Sequence, residues 1–275
     1  MTFSIVASMG DALGVAVASK FLAVGSVVPA ARVGVGAVAT QALAKVSYKG
    51  DALALLADGV APEEVVARLT GDDDGHEQRQ LGLVTPTGQA SYTGPACMDW
   101  AGGLTGRDAT GGYAIQGNIL AGPQVVQEME RAWLEAAHLP FPSRLVHAVL
   151  AGDRAGGDRR GRQSAALYAV QAGTGYDGSG VLADLRVDDH PEAPQELARL
   201  LDLNELYFGG PTNVLPLEGG LLEEVTDRLA RLGRTQPDVH EALADWAGAE
   251  NYETRLSPEG IDSRVLQALR EATAA

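Results

Sequence analysis

The sequence predicts an α+β protein in which antiparallel sheets carry helices on their outer faces and a small helical tail follows. Short β-forming runs occur in pairs that read as hairpins, and helical segments come in groups between them instead of alternating with single strands. A Gly-Gly-Pro sequence at 209–211 then indicates a boundary, because glycine and proline interrupt regular structure. We therefore divide the chain into a main domain, residues 1–209, and a helical tail, residues 210–275.

The first 40 residues predict strands and turns. The runs 2–7 and 13–19 are β-forming and flank a Gly-Asp turn, which predicts a hairpin. The run 32–38 is apolar and rich in glycine, so it predicts a further strand. The low-charge stretch 21–40 contains a proline, an arginine and several glycines, whereas a membrane-spanning helix needs about 20 strongly apolar residues. We interpret it as buried strand and turn.

Later segments follow the same reasoning. Pro62 with two acids after it is typical of a helix start, and apolar residues at helical spacing predict an amphipathic helix after Pro123. Ser143 is a candidate N-cap of the next helix. The other predicted elements are a helix over 52–56, a hairpin of 80–84 with 89–93, strands over 113–117, 164–170 and 181–187, a helix from 191, and tail helices around 221–232, 239–246 and 261–269.

Charge and composition exclude several functions. The formal net charge of −15 argues against binding to nucleic acid or to an anionic membrane, because both would be repelled. One cysteine, Cys97, excludes an internal disulfide framework, and we interpret it as a packing residue. The histidines lack zinc-site spacing and the acidic run 72–74 lacks EF-hand spacing, so we expect no metal and no cofactor. The N-terminus lacks the basic region of a signal peptide, and we expect a cytoplasmic location.

Thr2 is the candidate nucleophile. Methionine aminopeptidases remove a first methionine that precedes a small residue such as threonine, which would leave Thr2 with a free α-amine. Such an amine has a pKa near ~8, so it can take the proton of its own hydroxyl while Oγ1 attacks a carbonyl. The alternative is a plain β-forming residue, since threonine is common at this position and one residue is a weak motif.

Several separated blocks of the sequence resemble one family. They are 2–7, 14–21, 34–41, 115–122, 157–165, 184–191 and the ending 206–209. The chain resembles the bacterial and archaeal domain of unknown function 1028, which is placed in the Ntn-hydrolase (N-terminal nucleophile) superfamily. The resemblance implies an αββα four-layer sandwich, with the mature N-terminus at a cleft and an acyl-enzyme mechanism on amide-type C–N bonds. It implies no substrate.

The tail is similar to a peptidoglycan-binding-like extension that some members of this family carry. The similarity lies in residues 229–233 and 261–262. Such a tail need not bind cell wall, particularly in a chain without an export signal.

Two residues near the expected cleft have candidate catalytic roles. Lys20 ends the second strand, where a cation would lower the pKa of the Thr2 amine; alternatively it is a surface charge at a strand end. Asn118 ends a strand and has a side-chain amide that can donate to an oxyanion; alternatively it is a turn residue between glycine-flanked elements.

A polar loop precedes the strand at 164–170 and is the candidate substrate-binding segment. The candidate substrate-binding residues of this loop are Asp158, Arg159, Arg162 and Gln163. A guanidinium can hold a carboxylate through two parallel hydrogen bonds, and we expect Arg159 or Arg162 to lie nearest the ligand. The alternative is an ion-pair network that braces the sheets. The later Asp-Asp-His-Pro sequence at 188–191 reads as a helix start rather than an acid/base pair.

Three functional hypotheses follow. The first is an Ntn-type amidohydrolase that cleaves a small amide, imide or ureide through Thr2, with a homo-oligomer expected from the habits of the superfamily. The second is a non-catalytic ligand-binding or assembly protein on the same fold, and the third is a cell-wall-binding protein that acts through its tail.

Overall fold

The computed structural model describes residues 2–274. These residues form two compact units, one ending at Leu201 and the other beginning at Asp202. Each unit has its own hydrophobic core, and each is described by itself below.

The first unit contains two sheets. Its strands are β1 (Thr2–Met9), β2 (Ala12–Ser19), β3 (Pro29–Arg32), β4 (Gly36–Ala42), β5 (Arg79–Val84), β6 (Gln89–Thr93), β7 (Gly102–Arg107), β8 (Gly112–Asn118), β9 (Ser164–Val170) and β10 (Val181–Val187). Its helices are α1 (Val24–Val27), α2 (Tyr48–Ala57), α3 (Pro62–Gly71), α4 (Gln124–Glu135), α5 (Phe141–Arg154) and the first part of α6 (Ala193–Phe208), with short 3-10 turns at His76–Gln78 and Tyr176–Gly178.

The larger sheet has six strands in the order β10-β9-β2-β1-β8-β7, and all of its neighbours pair antiparallel. The smaller sheet has the order β3-β4-β5-β6 and is antiparallel as well. Strand β1 therefore lies inside the larger sheet, with Thr2 paired to Ser19 on β2 and to Asn118 on β8. This register determines which side chains surround Thr2.

The alternation of side chains along β1 explains the layering. Ile5 belongs to the core between the larger sheet and the helices, whereas the next residue, Val6, belongs to the core between the two sheets. Helices α4, α5 and α6 cover the larger sheet, and α2 and α3 cover the smaller one. The predicted αββα sandwich of the α+β class is confirmed.

In the first unit two local predictions were wrong, and two elements were missed besides the short 3-10 turns. The run 32–38 is not one strand, because β3 ends at Arg32 and β4 begins at Gly36, with Gly34 between them at φ 71°. Ser143 does not cap a helix, since α5 already begins at Phe141 behind an extended Pro140. Helix α1 and strand β7 were not predicted; β7 is a short, glycine-rich strand. Over residues 2–274 no helix is long and apolar enough to cross a membrane.

The second unit contains the three predicted helices, α7 (Gly219–Arg231), α8 (Val239–Ala249) and α9 (Ser263–Ala272). A short ladder of β11 (Val214–Leu215) and β12 (Ile261–Asp262) accompanies them. Their apolar faces meet in one core formed by residues such as Leu229, Trp246 and Val265. The tail of the chain is therefore a folded helical unit.

The division between the units lies inside α6, before the Gly-Gly-Pro sequence. The last turns of this helix pack within the second unit: the ring of Tyr207 stacks on Tyr252 with centroids 5.6 Å apart, and Arg255 Nε donates to the Leu206 carbonyl at 2.8 Å. The residues that the sequence assigned to the end of the main domain thus contribute to the tail unit.

Candidate active site

The side chain of Thr2 lies at the first position of β1 and is 6% exposed. Its Oγ1 is 3.1 Å from Oγ of Ser19, the residue opposite it on β2. Directly paired residues on neighbouring strands present their side chains on the same face, which explains why the two hydroxyls meet.

Thr2 lines a cavity of about 640 Å³, a size that suits a small-molecule ligand. The wall is mostly apolar, and its apolar side chains are Phe21, Val24, Val27, Val28, Leu43, Met98 and Ile119. Polar lining comes from Gln41, Gln78, Asn118, Cys97, Arg79 and Arg160. Thr2 therefore borders a largely apolar cavity with a few polar groups.

Two side-chain amides point to the backbone of Thr2. Nε2 of Gln41 donates to the Thr2 carbonyl at 3.2 Å, and Nδ2 of Asn118 lies 3.5 Å from the same oxygen. Asn118 also donates to Gln80 Oε1 at 3.0 Å. The structure thus brings Asn118 next to Thr2, on the strand that pairs with it.

A buried polar network continues from Gln41 between the two sheets. Gln41 accepts from Ser4 Oγ at 2.7 Å and donates to Gln80 Oε1 at 2.7 Å, while Gln116 donates to Ser4 Oγ at 2.6 Å. All four side chains are buried. Because unpaired polar groups are costly in such a place, the network holds the two sheets in one relative position behind Thr2.

Lys20 has an exposed side chain and is not among the residues that line the Thr2 cavity. Its ammonium donates to the carbonyl of Arg162 at 3.3 Å, and its backbone N–H donates to Asp158 Oδ2 at 2.7 Å. Lys20 therefore follows Ser19 at the end of β2 and is tied to the polar loop that precedes β9.

The polar loop is organised around Asp158. This buried carboxylate accepts from the backbone N–H of Lys20 and, at 2.8 Å, from that of Arg160, and it pairs with the Arg160 guanidinium at 3.3 Å. Two backbone donors and one ion pair thereby hold the loop against the end of β2. Arg160, one residue after Arg159, is the arginine of this loop that lines the Thr2 cavity.

The other predicted loop residues face elsewhere. Arg159 and Arg162 line a second cavity of about 560 Å³, to which Phe3 and Asp158 also contribute. Nε of Arg162 donates to Asp153 at 2.6 Å, and this pairing raises the pKa of the guanidinium. Gln163 donates to Asp189 at 3.1 Å, so Asp153 and Asp189 give these side chains structural partners.

Cys97 shares the Thr2 cavity. It is partly buried, its Sγ lies 3.4 Å from the Arg79 carbonyl, and burial raises the pKa of the thiol. A protonated thiol is a poor nucleophile, which favours Thr2 for any covalent chemistry here. Over residues 2–274 no group of three or more His, Cys, Asp or Glu side chains is placed to hold a metal ion.

Sequence reasoning missed Ser19, Gln41, Gln80 and Arg160. The signal for Gln41 and Gln80 was present, since each is a polar residue within a strand of otherwise apolar character. Arg160 could not be separated from Arg159 and Arg162 without the conformation of the loop.

Comparisons with known proteins agree with this architecture. Residues 2–197 match a family whose description is "Family of unknown function (DUF1028)", and residues 207–269 match one described as "Putative peptidoglycan binding domain". None of the curated proteins compared matches the chain. The crystal structure of protein SPO2555 from Silicibacter pomeroyi, also of family DUF1028, matches with 27% identity and a TM-score of 0.65, over 81% of this chain and 92% of that chain. The protein described here belongs to the DUF1028 family.

Proposed function

We propose that this protein is an N-terminal-nucleophile amidohydrolase that cleaves a C–N bond of a small amide, imide or ureide through Thr2. The proposal is supported chiefly by the position of Thr2, which begins β1, lines a ligand-sized cavity and has its hydroxyl 3.1 Å from Ser19 Oγ. The fold, an αββα sandwich, is the one that such chemistry uses.

The reaction would proceed in two steps, acylation of Thr2 and hydrolysis of the acyl-enzyme. The neutral α-amine of mature Thr2 takes the hydroxyl proton, Oγ1 forms a bond to the carbonyl carbon, and the C–N bond breaks as the leaving nitrogen receives that proton. Water then attacks the ester, its hydroxyl stays on the acyl group as a carboxylic acid, and its other proton returns to Oγ1.

Neighbouring residues would assist these steps. Asn118, adjacent to Thr2 on β8, would donate to the developing oxyanion by turning the N–H that now lies 3.5 Å from the Thr2 carbonyl. Lys20, next to Ser19, would favour the neutral form of the amine through its positive charge. Asp158 would hold the polar loop in place, with Arg159, Arg162 and Gln163 as further candidates for contact with substrate.

Turnover of an amide panel by the full chain tests the proposal, together with the intact mass of the same sample. We expect the mass of a chain that begins at Thr2, because a preceding methionine would acylate the required amine. We expect turnover that Thr2→Ala abolishes and Thr2→Ser retains in part. Thr87→Ala is the matched control, since Thr87 is an exposed turn residue.

Two results would contradict the proposal. One is amide turnover by a chain that still carries Met1, and the other is full activity of a folded Thr2→Ala variant. Retention of ligand binding without any turnover by the mature chain would favour the non-catalytic binding protein instead.

A second function is favoured for the tail by its match to a peptidoglycan-binding family. We propose that residues 207–269 bind a peptidoglycan-like glycan. Co-sedimentation of the full chain with purified peptidoglycan, competed by soluble muropeptides, tests this. Equal sedimentation with cellulose or chitin would contradict it. The cytoplasmic location and the homo-oligomer stay predictions, and light scattering of the purified chain tests the latter.

A further inference from the structure

The Thr2 cavity is lined by both exposed and buried apolar side chains. Phe21, Leu43 and Met98 line the cavity and are 51%, 59% and 66% exposed. Deeper in the same cavity, Val24 and Val28 are buried. An apolar ligand group that enters this cavity therefore meets hydrocarbon from the mouth to the interior.

The charged side chains that line the cavity are arginines. Two arginines, Arg79 and Arg160, line the cavity, and within the described part of the chain no aspartate or glutamate does so. The net charge of the chain is −15. Each arginine is paired with an aspartate that lies outside this lining, so guanidinium N–H donors, and not a net positive charge, are what the cavity offers to an anionic ligand.

The two arginines differ in their roles. Arg79 is mostly buried, and its guanidinium donates to Asp73 at 3.0 Å and to the Leu43 carbonyl, so it stabilises the wall. Arg160 keeps 46% of its side chain exposed and is held at the cavity by the buried Asp158. Arg160 is thus the cation that a ligand can reach.

We infer that the substrate class of this site is an amide with both a medium-length apolar acyl group and a carboxylate, as in an N-acyl amino acid. The apolar group would lie along Val24 and Val28, and the carboxylate would pair with Arg160. The inference rests on the proposed function for the cleavage itself, which adds water across the amide to give a fatty acid and an amino acid. The predicted binding of such a ligand does not depend on its cleavage.

Cys97 makes the binding measurable without turnover. It is the one cysteine of the sequence and it lines the cavity, so a bound ligand should slow its alkylation. Iodoacetamide is a suitable reagent because it carries no charge. Substitution of an arginine therefore does not change the electrostatic attraction of the reagent to the cavity. The Thr2→Ala chain is used so that ligands are not consumed.

Three ligands test the contributions of the apolar chain and of the carboxylate separately. N-octanoylglycine has both, N-octanoylglycinamide lacks the carboxylate, and N-acetylglycine lacks the apolar chain. We expect N-octanoylglycine to protect Cys97 at a concentration at least about tenfold lower than N-octanoylglycinamide, as for a charge-assisted hydrogen-bonded pair. Protection should strengthen by up to about fourfold for each added methylene, so N-acetylglycine should protect far more weakly.

Arg160→Gln should abolish the preference for the carboxylate and keep the preference for the longer chain. Arg154→Gln is the matched control, because Arg154 is an exposed arginine at the end of α5 that lines the other cavity; it should leave both preferences unchanged. Equal protection by the acid and the amide, or a preference that survives Arg160→Gln, would overturn the inference. So would protection by N-acetylglycine as strong as that by N-octanoylglycine.

Ligand binding and catalysis can be tested independently of each other. If Cys97 is protected as expected but the mature wild-type chain cleaves no N-acyl amino acid, the binding site stands and the catalysis does not. If amides are cleaved through Thr2 without either preference, the catalysis stands and the substrate class is wrong.

Discussion

The side-chain amide of Gln41 donates to the main-chain carbonyl of Thr2 at 3.2 Å, although the two residues belong to different sheets. The same side chain bonds Ser4, Gln80 and the Gln116 carbonyl. One glutamine therefore ties the start of β1 to both layers of the sandwich and determines where the Thr2 hydroxyl can lie.

Replacement of Gln41 by alanine should destabilise the first unit by about 2–4 kcal/mol, because several buried polar groups lose their partner together. Hydrogen exchange of peptides from β1 and β4 in increasing urea measures this without interference from the tail unit. Gln127→Ala, at an exposed position of α4, should change stability by less than about 0.5 kcal/mol. Equal effects of the two substitutions would show that the network does not stabilise the sheets.

Ser19→Ala should slow acylation of Thr2 by an activated ester about fivefold to tenfold. The Ser19 hydroxyl lies 3.1 Å from Thr2 Oγ1, and loss of one such hydrogen bond costs about 1 kcal/mol. Release of p-nitrophenol from p-nitrophenyl acetate reports the rate. Ser26→Ala is the control and should react at the wild-type rate, because Ser26 is exposed and its hydroxyl donates to the nearby Ala23 carbonyl.

The first unit should lose stability in acid partly through Asp108. Burial of this carboxyl would raise its pKa, but hydrogen bonds from Thr110 and from the fully buried Arg144 outweigh that effect and hold the pKa at about 2. Because this value lies below the usual 3.8, the carboxylate stabilises the fold fully above about pH 5, and this contribution disappears as the pH falls from about 4 to about 2.

Asp108→Asn tests this directly. The stability difference from the wild type should be about 3–5 kcal/mol at neutral pH, since Arg144 is left buried without its carboxylate, and should shrink by about 2 kcal/mol toward pH 2. Urea unfolding at a series of pH values measures the difference. Asp184→Asn, an exposed position on β10, serves as control. A difference that does not depend on pH would contradict the assignment.

Asp262→Ala should unfold the tail unit. Asp262 accepts from the backbone of Arg264 and Thr212 at 2.9 Å each, and it pairs with the buried Arg255 at 3.3 Å. Removal leaves that cation unpaired and costs about 3–5 kcal/mol, a large share of the stability of a unit this small. Hydrogen exchange of α8 and α9 measures the loss. Glu259→Ala, at an exposed turn, should leave exchange in both helices unchanged.

Local patterns predict much of this fold because they describe neighbours in sequence. The hairpin of β1 and β2 follows from two β-forming runs around Gly10 and Asp11, and Gly10 takes the positive φ of 60° that the turn requires. Helix α3 begins at Pro62 as expected. Thr2, at the start of the hairpin, was therefore identifiable as a candidate from sequence.

The surroundings of Thr2 depend on long-range pairing, and they were harder to predict. Gln41 and Asn118 reach Thr2 only because the sheets stack and β8 pairs with β1 in one register. Arg159 and Arg160 are adjacent in an irregular loop that turns at Gly161, with φ 107°, so spacing alone does not decide which side chain enters which cavity.

Covalent labelling can show whether Thr2 Oγ1 is the nucleophile. The mature chain is treated with a β-lactone, whose ring opens when Oγ1 of Thr2 attacks its carbonyl, and the N-terminal peptide is sequenced by mass spectrometry. We expect one lactone mass on a peptide that begins at Thr2, as an ester that hydroxylamine removes, and no such label in Thr2→Ala. A label on another residue with Thr2 unmodified, in protein that turns over amides, would contradict it.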